Sequence, residues 1–215
     1  NWLVFQGNFI HSKTIDTIDI ISNGLMGIYK GIIIFLFDNI NNVPKALLLE
    51  LNELNINIKK LNNQQFLIPG FIDTHTHAAQ YSFSGGGRIP LLEWLKTYTF
   101  PTESKFKDDN FAIDIYSKAV RRHLINGTTT CCYYGTIHLK ATKILVDIVN
   151  KVGQRAYIGK VCMDRNAPDF YIEKTDDSLN NTQLLIDYIN TLNTTLIKAI
   201  ITPRFVPTCT SKLMH

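Results

Sequence analysis

The sequence lacks most of the marks that would place it among secreted, membrane or nucleic-acid-binding proteins. It has no C-x-x-C pair: the four cysteines are Cys131, Cys132, Cys162 and Cys209. A cysteine-type zinc site therefore has no support. Cys131 and Cys132 fall in an apolar run and read as small packing residues, and unpaired thiols fit a cytoplasmic protein. No long hydrophobic stretch is present. The longest runs from Ile32 to Phe37, against the ~20 residues a membrane span needs. The start shows no basic segment followed by an apolar one, so no secretory signal is visible. Dense basic blocks are absent too. The net charge is +4, and the pairs Lys59-Lys60 and Arg121-Arg122 are too small for a nucleic-acid footprint. "SGGG", Ser84 to Gly87, is not followed by G-K-[ST] and is no phosphate loop; it reads as a flexible loop. There is no internal repeat or low-complexity tract. Residue 1 is Asn rather than Met and the last residue is His215, so both ends read as cut.

What is present is an ordinary globular composition, 45% hydrophobic and 19% charged, able to bury a core. Two rhythms divide it. Residues 1–66 read as a small β-rich domain: "WLVFQGNFI" with a turn at Gly7, then "TIDTIDII" and "MGIYKGIIIFLF", rich in Ile and Phe and punctuated by glycine. "VPKALLLELNEL" adds a short helix with Pro44 near its first turn. Residues 67–215 alternate strand and helix. "FLIPGFID" is a nearly continuous apolar run, as in a strand buried on both faces. "DDNFAIDIYSKAVRRHLING" is an amphipathic helix with Phe111, Ile115, Ala119 and Leu124 on one face. "TTTCCYYG", "RAYIGKVCM" and "LIKAIITPRF" are further strands, separated by the helices "IHLKATKILVDIVNKVG" and "TDDSLNNTQLLIDYINTLN". This is the pattern of a parallel sheet with crossover helices.

The chemistry begins at "PGFIDTHTHAAQ". Side chains two apart on a strand point the same way. Asp73, His75 and His77 share a face if the strand stays regular. Two neutral imidazoles can grip a divalent ion such as zinc, yet a catalytic zinc normally has three protein ligands. A bare H-x-H is weak by itself. Its place at the C-terminal end of the first strand of a β/α alternation, where barrel enzymes keep their catalytic residues, strengthens it. Asp73 reads as support for the strand end and a histidine ring. His123 reads as a surface or capping residue, His138 as a structural hydrogen-bonder, and Leu91, Leu92, Trp94 and Leu95 as helix packing.

"PGFIDTHTH" resembles the P-G-x-x-D-x-H-x-H signature of the amidohydrolase superfamily. "HAAQYSFSG", "PLLEWLKTYTFP", "VRRHLINGTTT", "GQRAYIGKVCMD" and "TPRF" are similar, in the same order, to its guanine-deaminating members. The resemblance implies an α/β fold: the first part of a (β/α)8 barrel preceded by a small β-rich domain. It also implies zinc-dependent hydrolysis of guanine to xanthine and ammonia, with one zinc ion per site. His75 and His77 match the first two metal ligands. Gln80, Arg204 and Phe205 match residues that contact the purine, where arginine can donate a fork of hydrogen bonds and phenylalanine can stack. The family's other ligands and its proton-shuttling Glu lie on later strands, so no catalytic acid–base residue is expected within this chain. A whole barrel takes about 250 residues, and residues 67–215 suffice for roughly four of its eight strands. The isolated chain is therefore expected to be inactive. A homodimer is implied by resemblance alone. The alternatives are another amidohydrolase acting on amines or chlorides, or a non-catalytic truncated product. A cytidine-deaminase-type zinc site needs H-x-E and P-C-x-x-C, which are absent.

Overall fold

Ile, Phe and Val runs broken by glycine give strands in the first third of the chain, and the structure, a computed structural model that describes residues 2–215, contains them. Two compact units are present, Asn1–Pro69 and Gly70–His215. In the first, β1 (Trp2–Ser12), β2 (Ile18–Tyr29) and β3 (Ile32–Phe37) pair antiparallel in sequence. Lys30 and Gly31, both at positive φ, make the two-residue turn between β2 and β3, the geometry whose twist suits a hairpin. Helix α1 (Lys45–Glu53) begins at Pro44, a residue that fits a helix start because its missing N–H has no helical acceptor to meet. Strands β4 (Ile58–Lys60) and β5 (Phe66–Leu67) then return parallel to β1. Val4, Leu25, Val43 and Leu51 form the core of this unit. Gly7 is not a turn: β1 runs through it, and the register shifts between Gly7 and Phe9, as at a bulge.

The second unit starts with β6 (Phe71–His77) and a 3-10 segment at Ala78–Phe83. A helical stretch follows: α2 (Leu91–Trp94), a π-helical turn at Leu95–Thr99 and α3 (Phe100–Glu103). Pro101 cannot donate a helical hydrogen bond, and its ring crowds the carbonyl one turn back; the wider π turn lies immediately before it. Then come α4 (Asp109–Ile125), β7 (Thr128–Tyr134), α5 (Leu139–Val152), β8 (Arg155–Gly159), β9 (Val161–Cys162), α6 (Thr175–Asn190), β10 (Ile197–Ala199), β11 (Thr202–Pro203) and α7 (Ser211–Met214). The main sheet is parallel, in the order β10-β8-β7-β6, and β11 pairs with β9. It is the α/β arrangement of an open part of a barrel; among the described residues the sheet does not close.

Caps and stripes explain the helices. Asp108 accepts from the N–H groups of Asn110 and Phe111 and so starts α4. Gly153, at φ 75°, closes α5 in the left-handed conformation. The buried stripe of α4 is Ala112, Ile115, Tyr116, Ala119 and Val120, so Phe111 and Leu124 lie at its margins rather than at its centre. These residues meet Cys131, Tyr133, Leu145, Val149, Ile158 and Leu185 in one core between sheet and helices.

Two strand expectations change. "FLIPGFID" is not one strand buried on both faces. Pro69 and Gly70 separate β5 from β6, and β6 lies at the end of the sheet, with Phe71 and Ile72 57% and 67% exposed. The apolar side chains are there, but at this terminal strand they stay open to solvent. "RAYIGKVCM" and "LIKAIITPRF" each split in two, at Lys160 and at Ile200–Ile201. At that break the two chains come very close. A Cβ on Gly159 would sit 2.3 Å from the Ile200 carbonyl oxygen, so only glycine fits.

Candidate active site

Strand β6 carries the two histidines to the C-terminal end of the sheet. Their rings lie 5.2 Å apart, and both pack on Tyr134 at the end of β7, with centroids 4.5 and 4.8 Å away. His75 is exposed and His77 half-buried. Burial lowers the His77 pKa to about 4; Glu103 opposes this, while Arg204 and His75 add to it. His77 is therefore neutral at physiological pH, the state that offers a lone pair to a metal. Its Nδ1 is buried and has no hydrogen-bond partner. A buried polar nitrogen left open is uncommon in folded proteins and asks for an explanation. These features fit a metal ion held by His75 and His77. No group of three or more His, Cys, Asp or Glu side chains suited to a metal occurs among the described residues. His75 and His77 are the two such side chains that meet at this point.

Asp73 does not join the pair. The register between β6 and β7 shifts between Asp73 and Thr76, which breaks the two-residue alternation. The Asp73 carboxylate accepts from the His75 backbone N–H at 3.1 Å, so it braces the strand rather than a ring.

His75, His77 and Gln80 line one cleft of about 320 Å³, together with Tyr81, Phe83 and Trp94. Gly85, of the glycine loop, also borders it. Trp94 packs on Phe83 with ring centroids 5.3 Å apart. Leu91 and Leu92 are exposed and Leu95 is buried.

Gln80 reaches Arg204 through a residue with no sequence signal, Glu103. Gln80 Nε2 donates to Glu103 Oε1 at 3.0 Å, and Arg204 donates to both Glu103 oxygens at 2.7 and 3.1 Å. The Tyr171 hydroxyl donates to Glu103 Oε2 at 2.7 Å. Glu103 is fully buried and Arg204 nearly so. Burial favours loss of the Arg204 charge, but Glu103 outweighs it and the guanidinium pKa is raised further. Phe205 is not brought to the histidine cleft. It packs with Leu95, Phe100 and Tyr171 and lines a separate groove with Leu92 and Lys96.

His123 borders the histidine cleft, and His138 lies outside its lining. His123 Nδ1 lies 2.9 Å from the Tyr133 hydroxyl, which in turn donates to Gln154. His123 is thus half-buried inside a polar network, not a surface cap. His138 precedes α5, packs edge-on to Tyr171, and has a buried Nε2 without a partner.

A parallel β/α half-sheet with a histidine pair at its C-terminal face is the arrangement expected of a metal-dependent hydrolase barrel, and residues 66–215 match the amidohydrolase family. The chain belongs to that family. Within it, the chain is similar to guanine deaminases. It is 48% identical to the guanine deaminase of Dictyostelium discoideum over 98% of this chain and 49% of that protein. It is 42% identical to the Mus musculus guanine deaminase, over 99% of this chain and 47% of that one. A solved guanine deaminase from C. acetobutylicum, with guanine bound in its active site, superposes with a TM-score of 0.88 at 36% identity, over 100% of this chain and 49% of that one. The chain spans about half the length of the relatives it matches.

Proposed function

We propose that this chain supplies half of a zinc-dependent site that deaminates guanine to xanthine and ammonia, with His75 and His77 as metal ligands. Gln80, Arg204 and Phe205 are the proposed purine-binding residues. The observation that carries the reading is His77: a neutral, half-buried imidazole whose buried Nδ1 has no partner, packed beside a second histidine and in a shared cleft with Gln80. The likeness to guanine deaminases supports the choice of substrate.

A zinc ion held here supplies Lewis-acid activation for hydrolysis. The chain's own residues bind and orient. Gln80 offers an amide to the base, and Arg204 keeps N–H donors beyond those used by Glu103. Tyr134 fixes the two rings by packing. Phe205 follows Arg204 in the chain and lines the separate groove with Leu92 and Lys96, so its stacking role rests on the family likeness. Moving protons onto the departing ammonia requires a further acid–base group, which this reading places outside these residues. By the same family likeness, the protein acts in guanine catabolism in the cytoplasm and forms a homodimer.

The test is direct. Residues 1–215 alone, given zinc and guanine, are expected to form no xanthine. The same residues completed with the remaining half of the Dictyostelium relative are expected to form it. Turnover by the chain alone overturns the reading. So does a completed protein that acts on other amines and not on guanine.

A further inference from the structure

Four hydrogen bonds converge on one side chain that none of the sequence motifs marks. Each Glu103 oxygen accepts two: Oε1 from Gln80 Nε2 and one Arg204 nitrogen, Oε2 from the Tyr171 hydroxyl and the other Arg204 nitrogen. An ionised carboxylate has about four lone-pair positions and no donor, so Glu103 is filled. The segment that delivers it is also unusual. The helix widens into a π turn at Leu95–Thr99 just before α3, with Phe100 N–H bonded to the Leu95 carbonyl, and such turns concentrate at functional sites.

The consequence lies in what Glu103 leaves free. Because it takes only donors, it holds the Gln80 amide with its NH2 group inward. Gln80 Oε1 accepts no hydrogen bond among the described residues, and Gln80 borders the histidine cleft. With one N–H spent on Glu103, the Gln80 amide keeps Oε1 as its acceptor and one further N–H, in an orientation that Glu103 fixes. Arg204 has given two of its five N–H donors to Glu103 and can only donate. Without Glu103, the Gln80 amide could turn over and present either atom.

We propose that Glu103 is a positioning residue that fixes the polarity of the pair Gln80 and Arg204, so that the site presents one acceptor and one set of donors in a set order. The complement is a lactam edge, a ring N–H beside a carbonyl. An amino-pyrimidine edge, a bare ring nitrogen beside an NH2 group, carries the same elements in reverse order. This inference rests on the proposed purine site, and it names the feature that selects among purines.

The experiment uses the completed protein described above, with hypoxanthine and adenine as probes. The two differ at this edge, and neither carries the amino group whose loss from guanine is proposed. Calorimetry on the unsubstituted protein is expected to show tighter binding of hypoxanthine. Glu103→Gln, close in shape, is expected to reduce that preference about tenfold or more, the scale of one directed hydrogen bond. With guanine it should raise KM while leaving kcat nearly unchanged. Adding Gln80→Glu to Glu103→Gln puts an obligate acceptor back at the cleft and should restore part of the preference. Thermal unfolding of each variant separates loss of fold from loss of polarity.

A Glu103→Gln protein that keeps its hypoxanthine preference overturns the inference, as does one that loses kcat and stability with the preference intact. Guanine turnover with an unchanged preference leaves the functional reading standing and removes the role of Glu103. A lost preference without any guanine turnover does the reverse.

Discussion

Lys160 has no exposure to solvent. Its Nζ donates to Glu173 at 2.6 Å, to the Val161 carbonyl at 2.9 Å and to Ser178 Oγ at 3.3 Å. An ammonium has three donors, so the group is filled. A buried pair adds little net stability, but breaking one partner leaves an unpaired charge. Glu173→Gln is thus expected to cost about 3–5 kcal/mol, read by urea unfolding of the completed protein. Replacing both Lys160 and Glu173 by apolar residues is expected to cost much less. The pair was invisible in the sequence. "GKVCM" reads as strand, and a lysine in a strand usually faces water; what turns it inward is an acid on the far side of the break between β8 and β9. The histidine pair was readable because strand periodicity is local and needs no partner. Glu103 was not, since in "TFPTESKF" it looks like any helical carboxylate. Its burial depends on Tyr171 and Arg204, distant in sequence.

Helices α6 and α7 start beside one carboxylate. Asp164 accepts from Thr175 Oγ1 at the first residue of α6, and from both the N–H and Oγ1 of Thr210 just before α7. Burial pushes the Asp164 carboxyl up, but the hydrogen bonds from Thr210 and Thr175 outweigh it and hold it below the usual carboxylate range. A depressed native pKa contributes stability that is complete above the unfolded value, near 3.9, and is lost as pH falls through the native value. Asp164→Asn is therefore expected to destabilise by about 1–3 kcal/mol at neutral pH. The difference should shrink below about pH 4. Thermal unfolding of both proteins across that range checks it; a constant difference would falsify the linkage. At this scale the sequence was most legible. α4, α5 and α6 follow from apolar spacing and from cap residues such as Asp108 and Gly153. The splitting of the third and fourth barrel strands was not legible, because the approach of Gly159 to Ile200 is a contact between segments far apart along the chain.

The whole second unit presents a sheet with two open ends. β6 and β10 are its terminal strands, and Phe71, Ile72 and Ile201 are well exposed. Unpaired strand edges beside apolar surface template association with other chains. Residues 1–215 alone are expected to associate in solution, seen by light scattering, and the completed protein to be monodisperse. A soluble, monodisperse short chain would contradict this. The α/β class and the incompleteness of the barrel could both be read from the strand–helix alternation and its length, since each unit of a barrel consumes a nearly constant run of residues. The exposure of β6 could not, because apolar composition states what a strand could bury, not whether a neighbour is there.

The cluster around Glu103 also has an order in time. Its partners lie 23, 68 and 101 residues away in sequence, at Gln80, Tyr171 and Arg204. Synthesis runs at about 5–20 residues per second, so Arg204 emerges roughly 5–20 s after Glu103. Contacts this distant form late, after local helices. Until then the Glu103 carboxylate lacks its guanidinium partner and is best left in water. The segment from Leu91 to Glu103 is therefore expected to settle last, so that this side of the cleft is finished only after the strands beneath it are in place.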